Sequence, residues 1–329
     1  MNIATLKGPR RRALVIGLGA LAATCALPAR AADEYPTRAI RIVVPYAPGG
    51  STDVVARLLA EKLGHALKQP VVVENKPGAN GIIGAEMVAR AAPDGYTLLF
   101  PAGSVLALSP LLYKTSFDPV KSLAPISMLA SWSLLLVANP NVPATTVKEL
   151  VELARSGKRS TSFAAGTSGY SLMCEQLKLL VGAPDMINVP YNGSGPQAQA
   201  VIGGQADLMI DTFNSLQMIR AGKLRALGLF SDQRSPTLPD VPTMKEQGID
   251  MSTKGYAALL APAGTPPAVV QRLQAEVAKV ATMPDVRQKF ASLDYDAVGG
   301  TSDELAAAIK EDIERYRKMA KDTNFKIGQ

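Results

Sequence analysis

Histidine is almost missing from this 329-residue chain: His65 stands alone. A Ser-His-Asp relay therefore has no base, and a histidine metal site has no ligand set. On the helix predicted to follow Asp53, His65 comes twelve residues on, about 18 Å from the start, and reads as a solvated side chain. Cysteine is equally scarce. Cys25 falls in a segment expected to be removed, leaving Cys174 and no intrachain disulfide. Cys174 lies within a predicted helix, where an inert buried thiol is the usual finding. No Gly-Lys-Ser/Thr phosphate loop occurs, and glycines 78, 81 and 84 do not spell the dinucleotide fingerprint. No metal and no cofactor are expected.

Long apolar runs are few as well. Ala13 to Leu27 is fifteen residues, about 22 Å of helix against the roughly 30 Å of a membrane core. Lys7 and Arg10 to Arg12 precede it, and Ala29-Arg30-Ala31 follow. This is the pattern of a secretory signal, residues 1–31, cleaved after Ala31 or Ala32. The general export route fits better than the twin-arginine one, and the residues before Cys25 make a poor lipobox. A periplasmic protein is expected. Five of the 35 basic residues and no acid lie in the signal, leaving 30 against 28. A net of +2 gives nucleic-acid binding no support.

What the chain does have is one device used repeatedly. An apolar strand, Ile40 to Val44, runs into Tyr46-Ala47-Pro48-Gly49-Gly50-Ser51-Thr52-Asp53 and then into a helical pattern ending at Leu67. Two glycines permit close approach to the backbone, Ser51 or Thr52 can cap the helix, and Asp53 suits its positive end. The same residues suit a plain capped turn or an anion site. Strand-helix alternation continues through Val71 to Glu74, Ile82 to Ala91, and Tyr96 to Phe100, which leads to the loop Pro101 to Ser104. A long apolar stretch, Ile126 to Ala138, reads as a linker and a crossing strand. Beyond it the device recurs in the turns Ala165 to Ser171, expected before a helix from Leu172, and Pro190 to Pro196, before a helix from Gln197. Asp207 to Asp211 reads as a buried strand ending in a carboxylate.

Thr146 with Glu149, Thr243 with Glu246, and Thr301 with Glu304 predict capping boxes, and Thr265 an N-cap. Gly255 to Ala261 reads as a return strand, after which only helices are expected. The predicted class is α/β: domain 1 over 32–130, domain 2 over 131–255, and residues 256–329 returning to domain 1 as a strand and covering helices. Each domain would be a central sheet flanked by helices. Loops 46–53, 101–104, 165–171 and 190–197 should line the cleft at the carboxyl ends of the strands. None contains Lys or Arg, so an anionic ligand would depend on backbone N–H groups and hydroxyls. Two domains with two crossings suit a hinge that closes on a small ligand, and an enzyme cleft would look similar.

These residues resemble the Bug family, periplasmic substrate-binding proteins of tripartite tricarboxylate transporters. The resemblance rests on Tyr35-Pro36, Ile42 to Asp53, Val73-Glu74-Asn75-Lys76-Pro77-Gly78-Ala79 and Pro93-Asp94-Gly95-Tyr96-Thr97-Leu98. It continues through Val189 to Gly195, Gly203-Gly204-Gln205-Ala206-Asp207, Leu238 to Thr243 and Ala261 to Pro266. It implies a two-domain fold like the type II periplasmic binding proteins, no enzymatic activity, and a small carboxylate as ligand. Delivery to membrane permease subunits through transient contact, by a monomer, is implied too. The residues expected to bind are Tyr46, Ala47, Gly49, Gly50, Ser51, Asp53, Ser104, Gly166, Thr167, Ser168, Gly169, Tyr191, Asn192, Ser194 and Asp211. Two positions depart from the family pattern: Met173 where histidine is frequent, and Tyr256 where tryptophan is common. The competing readings are a sensor that signals to a kinase and a secreted hydrolase using Asp53 and Asp211.

Overall fold

Residues 35–191 and 193–325 are described by the computed structural model. The expected signal and Asn192 lie outside the described residues. The chain separates into Met1–Thr37 and Arg38–Gln329, and every element named below belongs to the second unit.

Ile40–Val44 (β1) is buried except at Arg41, as befits an interior strand covered on both faces. Ser51–Leu67 (α1), Val71–Asn75 (β2), Ile82–Ala89 (α2) and Thr97–Leu99 (β3) follow. Two short helices, Gly103–Ala107 (α3) and Ser109–Leu112 (α4), lead to Leu123–Ser133 (β4). The next stretch holds Leu135–Ala138 (β5), Val147–Arg155 (α5), Ser162–Ala165 (β6), Ser168–Val181 (α6) and Ile187–Pro190 (β7). Ser194–Ile202 (α7), Leu208–Asp211 (β8), Leu216–Arg220 (α8) and Arg225–Leu229 (β9) come next. The chain ends its described course with Lys254–Pro262 (β10), Pro267–Thr282 (α9), Pro284–Ala291 (α10), Tyr295–Ala297 (β11) and Ser302–Asp322 (α11).

Two sheets result. One has the order β11-β4-β10-β3-β1-β2, the other β7-β6-β8-β5-β9. In the first, β1 runs parallel to β2 and β3, and β10 is antiparallel to β3 and β4. In the second, β6 runs parallel to β7 and β8, while β5 is antiparallel to β8 and β9. The parallel strands bring their carboxyl ends to one edge of each sheet, and the glycine turns leave from those edges. Val43, Leu99, Leu106, Leu260 and Leu305 anchor the first core; Val137, Met209, Phe213 and Leu229 anchor the second.

The expected crossing strand is in fact two. β4 pairs within the first sheet and β5 within the second, with Leu134 alone between them. A run without Gly or Pro does not reveal where its partner changes. The return crossing spans residues 230–253 and is tied to the first: the Phe230 N–H donates to the Leu134 carbonyl at 2.9 Å, and the Thr253 N–H to the Phe230 carbonyl at 2.7 Å. The final segment is not purely helical, because β11 pairs Tyr295 with Trp132.

Helix starts also differ from expectation. Gly50, not Ser51 or Thr52, is the N-cap of α1, with no side-chain cap bond. Pro266 takes that place for α9, and the Thr265 hydroxyl donates to the Pro262 carbonyl at 2.8 Å. The Thr301–Glu304 box is complete. Thr243 and Glu246 reciprocate at 3.0 and 2.7 Å, though over a single 3₁₀ turn, Lys245–Gln247. The third box is half formed. The Glu149 N–H reaches the Thr146 hydroxyl, but the Glu149 carboxylate accepts from Thr145 instead.

Candidate functional site

The turn after β1 is fixed by Asp53. Its carboxylate accepts the Gly49 N–H at 2.9 Å, Arg57 Nε at 3.0 Å and Asn75 Nδ2 at 2.9 Å, while Asn75 also donates to the Tyr46 carbonyl at 3.0 Å. Burial raises the Asp53 pKa, but the bonds from Arg57, Gly49 and Asn75 outweigh it and hold the carboxyl below its ordinary value. Gly49 has φ +91°, which disfavours a side chain there. Gly50 is extended, and a Cβ on it would meet nothing within 4 Å. The turn therefore presents Ala47, Gly50 and Ser51, together with the first N–H groups of α1, which have no intrahelical acceptors.

Ser104, in the first turn of α3, stands beside the Tyr46 hydroxyl, which burial pushes up to about 12. Gly103 is needed below it: a Cβ there would lie 2.4 Å from the Tyr256 ring.

The second sheet supplies matching parts. Thr167 is the N-cap of α6, its hydroxyl accepting the Tyr170 N–H at 3.2 Å, so the helix begins at Ser168 and the turn is shorter than expected. A Cβ on Gly166 would lie 2.7 Å from the Gly193 backbone. That approach is held by Gln197, fully buried, which accepts the Gly166 N–H and donates to the Ile210 carbonyl at 2.7 Å. The Tyr191 N–H donates to the Ala165 carbonyl at 2.8 Å. Ser194 opens α7 behind Gly193, whose φ is +102°.

Asp211 ends β8 at 3 % exposure, accepting the Ser215 hydroxyl. Burial pushes its carboxyl up to about 6, against the lowering influence of Ser215 and the Thr212 N–H.

The two sets of loops meet directly. The Ser51 and Thr212 hydroxyls are 3.2 Å apart, and Asn214 Nδ2 donates to Ser51 Oγ at 2.9 Å. Tyr113, just past α4, reaches Ser168 at 3.2 Å. A Cβ on Gly169 would sit 3.7 Å from that of Ser104. The Tyr170 hydroxyl is held well above its ordinary value, first by burial and then by the charge of Asp211. Tyr295 lies against Trp132, ring centroids 5.1 Å apart. Its own hydroxyl, pushed up to about 12 chiefly by burial, approaches Ser51 and Thr212 without completing a hydrogen bond.

Sequence reasoning missed Tyr113, Gln197, Thr212, Asn214 and Tyr295. Thr212 and Asn214 follow Asp211 at the end of its strand and were within reach of the same argument. Tyr295 comes from a distant stretch, and no local pattern marks it. Lys76, just past β2, is paired with Glu74 at 2.8 Å. Cys174 is fully buried, which raises its thiol pKa, and His65 is exposed. Among the described residues no group of three or more acidic, histidine or cysteine side chains is placed to hold a metal, and no helix is long and apolar enough to cross a membrane.

Comparison with known proteins agrees with this geometry. A family profile described as "Tripartite tricarboxylate transporter family receptor" matches residues 55–325. Protein BugT of Bordetella pertussis is 36% identical over 321 residues, 95% of this chain and 97% of that protein. The structure of a Rhodopseudomonas palustris protein with adipate superposes with a TM-score of 0.83 at 30% identity, covering 88% of this chain and 98% of that one. MatC from the same organism, with bound malate, gives 0.80 at 32% identity over 87% and 99%. These relatives are receptors that bind solutes, not enzymes. The chain accordingly belongs to the tripartite tricarboxylate transporter receptor family, as a Bug-type solute-binding receptor.

Proposed function

We propose that the protein works in the periplasm, closes on a small carboxylate and hands it to the membrane permease of its transporter. The observation that carries this reading is the direct meeting of the two sets of helix-start loops, at Ser51 with Thr212 and at Tyr113 with Ser168. Helix starts offer N–H groups and the positive end of the backbone dipole, which suit an anion without any Arg or Lys. The relatives seen with adipate and malate support a carboxylate.

In this reading residues 32–130 and 256–329 form one jaw and 131–255 the other. Tyr46, Ala47, Gly49, Gly50, Ser51 and Ser104 face the ligand from the first jaw. Gly166, Thr167, Ser168, Gly169, Tyr191, Ser194 and Asp211 face it from the second. Asp53 serves the ligand through the turn it holds. The chain is exported through residues 1–31, acts as a monomer and touches permease subunits transiently.

A thermal-shift screen of small organic acids tests the proposal. A ligand at 100 times its Kd adds about 2.7 kcal/mol of stability, and at about 2–4 °C per kcal/mol the shift is easily read. No stabilisation by any mono-, di- or tricarboxylate would overturn the reading.

A further inference from the structure

Asp211 is the one charged group expected to face the ligand that is not bound up in the frame of a turn. Asp53 spends its oxygens on Gly49, Arg57 and Asn75. Among the described residues Asp211 accepts from Ser215 and from the Thr212 N–H, whereas a carboxylate offers about four acceptor positions. It is 3 % exposed, and among the described residues no Lys or Arg pairs with it. Next to it in the chain, the Thr212 hydroxyl lies 3.2 Å from that of Ser51, which puts the end of this strand at the meeting of the two loop sets. A buried carboxylate with unused acceptor positions and no counter-ion is unfavourable unless a donor reaches it.

The cleft thus makes two opposite demands. Helix starts at Ser51 and Ser168 offer N–H donors to an anion, and Asp211 offers an acceptor to a donor. An unsubstituted alkane dicarboxylate answers the first demand and aggravates the second, through charge repulsion and desolvation of Asp211. An acid carrying a hydroxyl or ammonium group answers both.

We propose that Asp211 makes this receptor selective for small carboxylates that bear a hydroxyl or ammonium donor over their unsubstituted counterparts. The selectivity rests on the carboxylate reading above. A hydrogen bond to a charged acceptor corresponds to a preference of roughly tenfold to a hundredfold.

The test is calorimetric titration of the mature protein at pH 8, where Asp211 is ionised, with matched acids. The sets are succinate, malate and aspartate; glutarate, 2-hydroxyglutarate and glutamate; adipate and 2-aminoadipate. At the chain length that binds, the donor-bearing acid is expected to bind at least about tenfold more tightly. In Asp211→Asn the preference should shrink severalfold, chiefly because the unsubstituted acid gains affinity. Equal affinity within every set overturns the selectivity and leaves the carboxylate reading standing. So does an Asp211→Asn protein that keeps the full preference. If no acid in any set binds, the selectivity falls, and the carboxylate reading is decided separately by the wider screen of mono-, di- and tricarboxylates. The comparison within the parent protein decides the matter even if the variant does not fold.

Discussion

Gly50 and Gly166 occupy corresponding turns under different constraints. A Cβ on Gly166 would strike the Gly193 backbone at 2.7 Å, whereas one on Gly50 would enter open space. Gly166→Ala should therefore destabilise the protein by about 1–3 kcal/mol, seen as a lower Tm, and weaken binding as well. Gly50→Val should melt within about 0.5 kcal/mol of the parent yet lose affinity; normal affinity would show that this turn does not touch the ligand. Asp211 gives a pH signature. Its carboxyl is raised from 3.8 to about 6 in the fold, so the stability it contributes is fully present below the ordinary value and lost as pH rises through about 6. Asp211→Asn should then gain stability over the parent at pH 8, on the order of 2–3 kcal/mol, with the gain fading between pH 6 and 4. Parallel thermal melts across that range would measure it. Gly49, Gly50 and Gly166 were legible because glycines at a strand-to-helix turn have few other uses. Gln197 was not, because a lone glutamine gives no sign that it will be buried between two loops.

At the scale of elements, the helix starts set the geometry of the site. Thr167→Ala removes the acceptor for the Tyr170 N–H and should cost about 1 kcal/mol together with a drop in affinity. Thr301→Ala, at the complete box on α11, should cost a similar amount in Tm and leave affinity unchanged. Titration and melting of the two variants side by side separate a cap that shapes the site from one that only holds a helix. Boxes of the Thr-x-x-Glu form could be read from sequence because both partners lie within one turn, and Thr301 and Thr243 behave so. At Thr146 the carboxylate found Thr145 nearer, and at Ser51 the hydroxyl turned to Thr212, just past the end of β8. A local rule has no knowledge of such partners. The same limit hid β11, three residues long, whose existence depends on β4 offering an edge.

For the molecule as a whole, the direct contacts between the loop sets belong to one arrangement of the two sheets. Ser51→Ala and Thr212→Ala should each weaken ligand binding. Their combined effect should fall short of the sum by roughly 0.5–1 kcal/mol, because each removes the same hydrogen bond. A fully additive pair would mean that the contact is incidental to closure. The order of strands and helices was visible from the alternation of apolar runs, and the site loops from their glycines. The division of the stretch from Ile126 to Ala138 between two sheets was not, since no turn residue, Gly or Pro, marks the change at Leu134.

The single-residue link at Leu134 carries a kinematic consequence. One peptide unit between two paired strands has no slack, and the backbone bonds joining Leu134, Phe230 and Thr253 fix the return crossing at the same level. The sheets cannot slide past each other or separate along their axes; the motion left to them is rotation about that point. Spin labels set beside the pivot should keep their separation whatever the ligand. Labels at Tyr113 and Ser168, which meet across the two sets of loops, should move apart in the open state. A turn about Leu134 would thus be registered in the gap between the loops and not in the strands that flank the pivot.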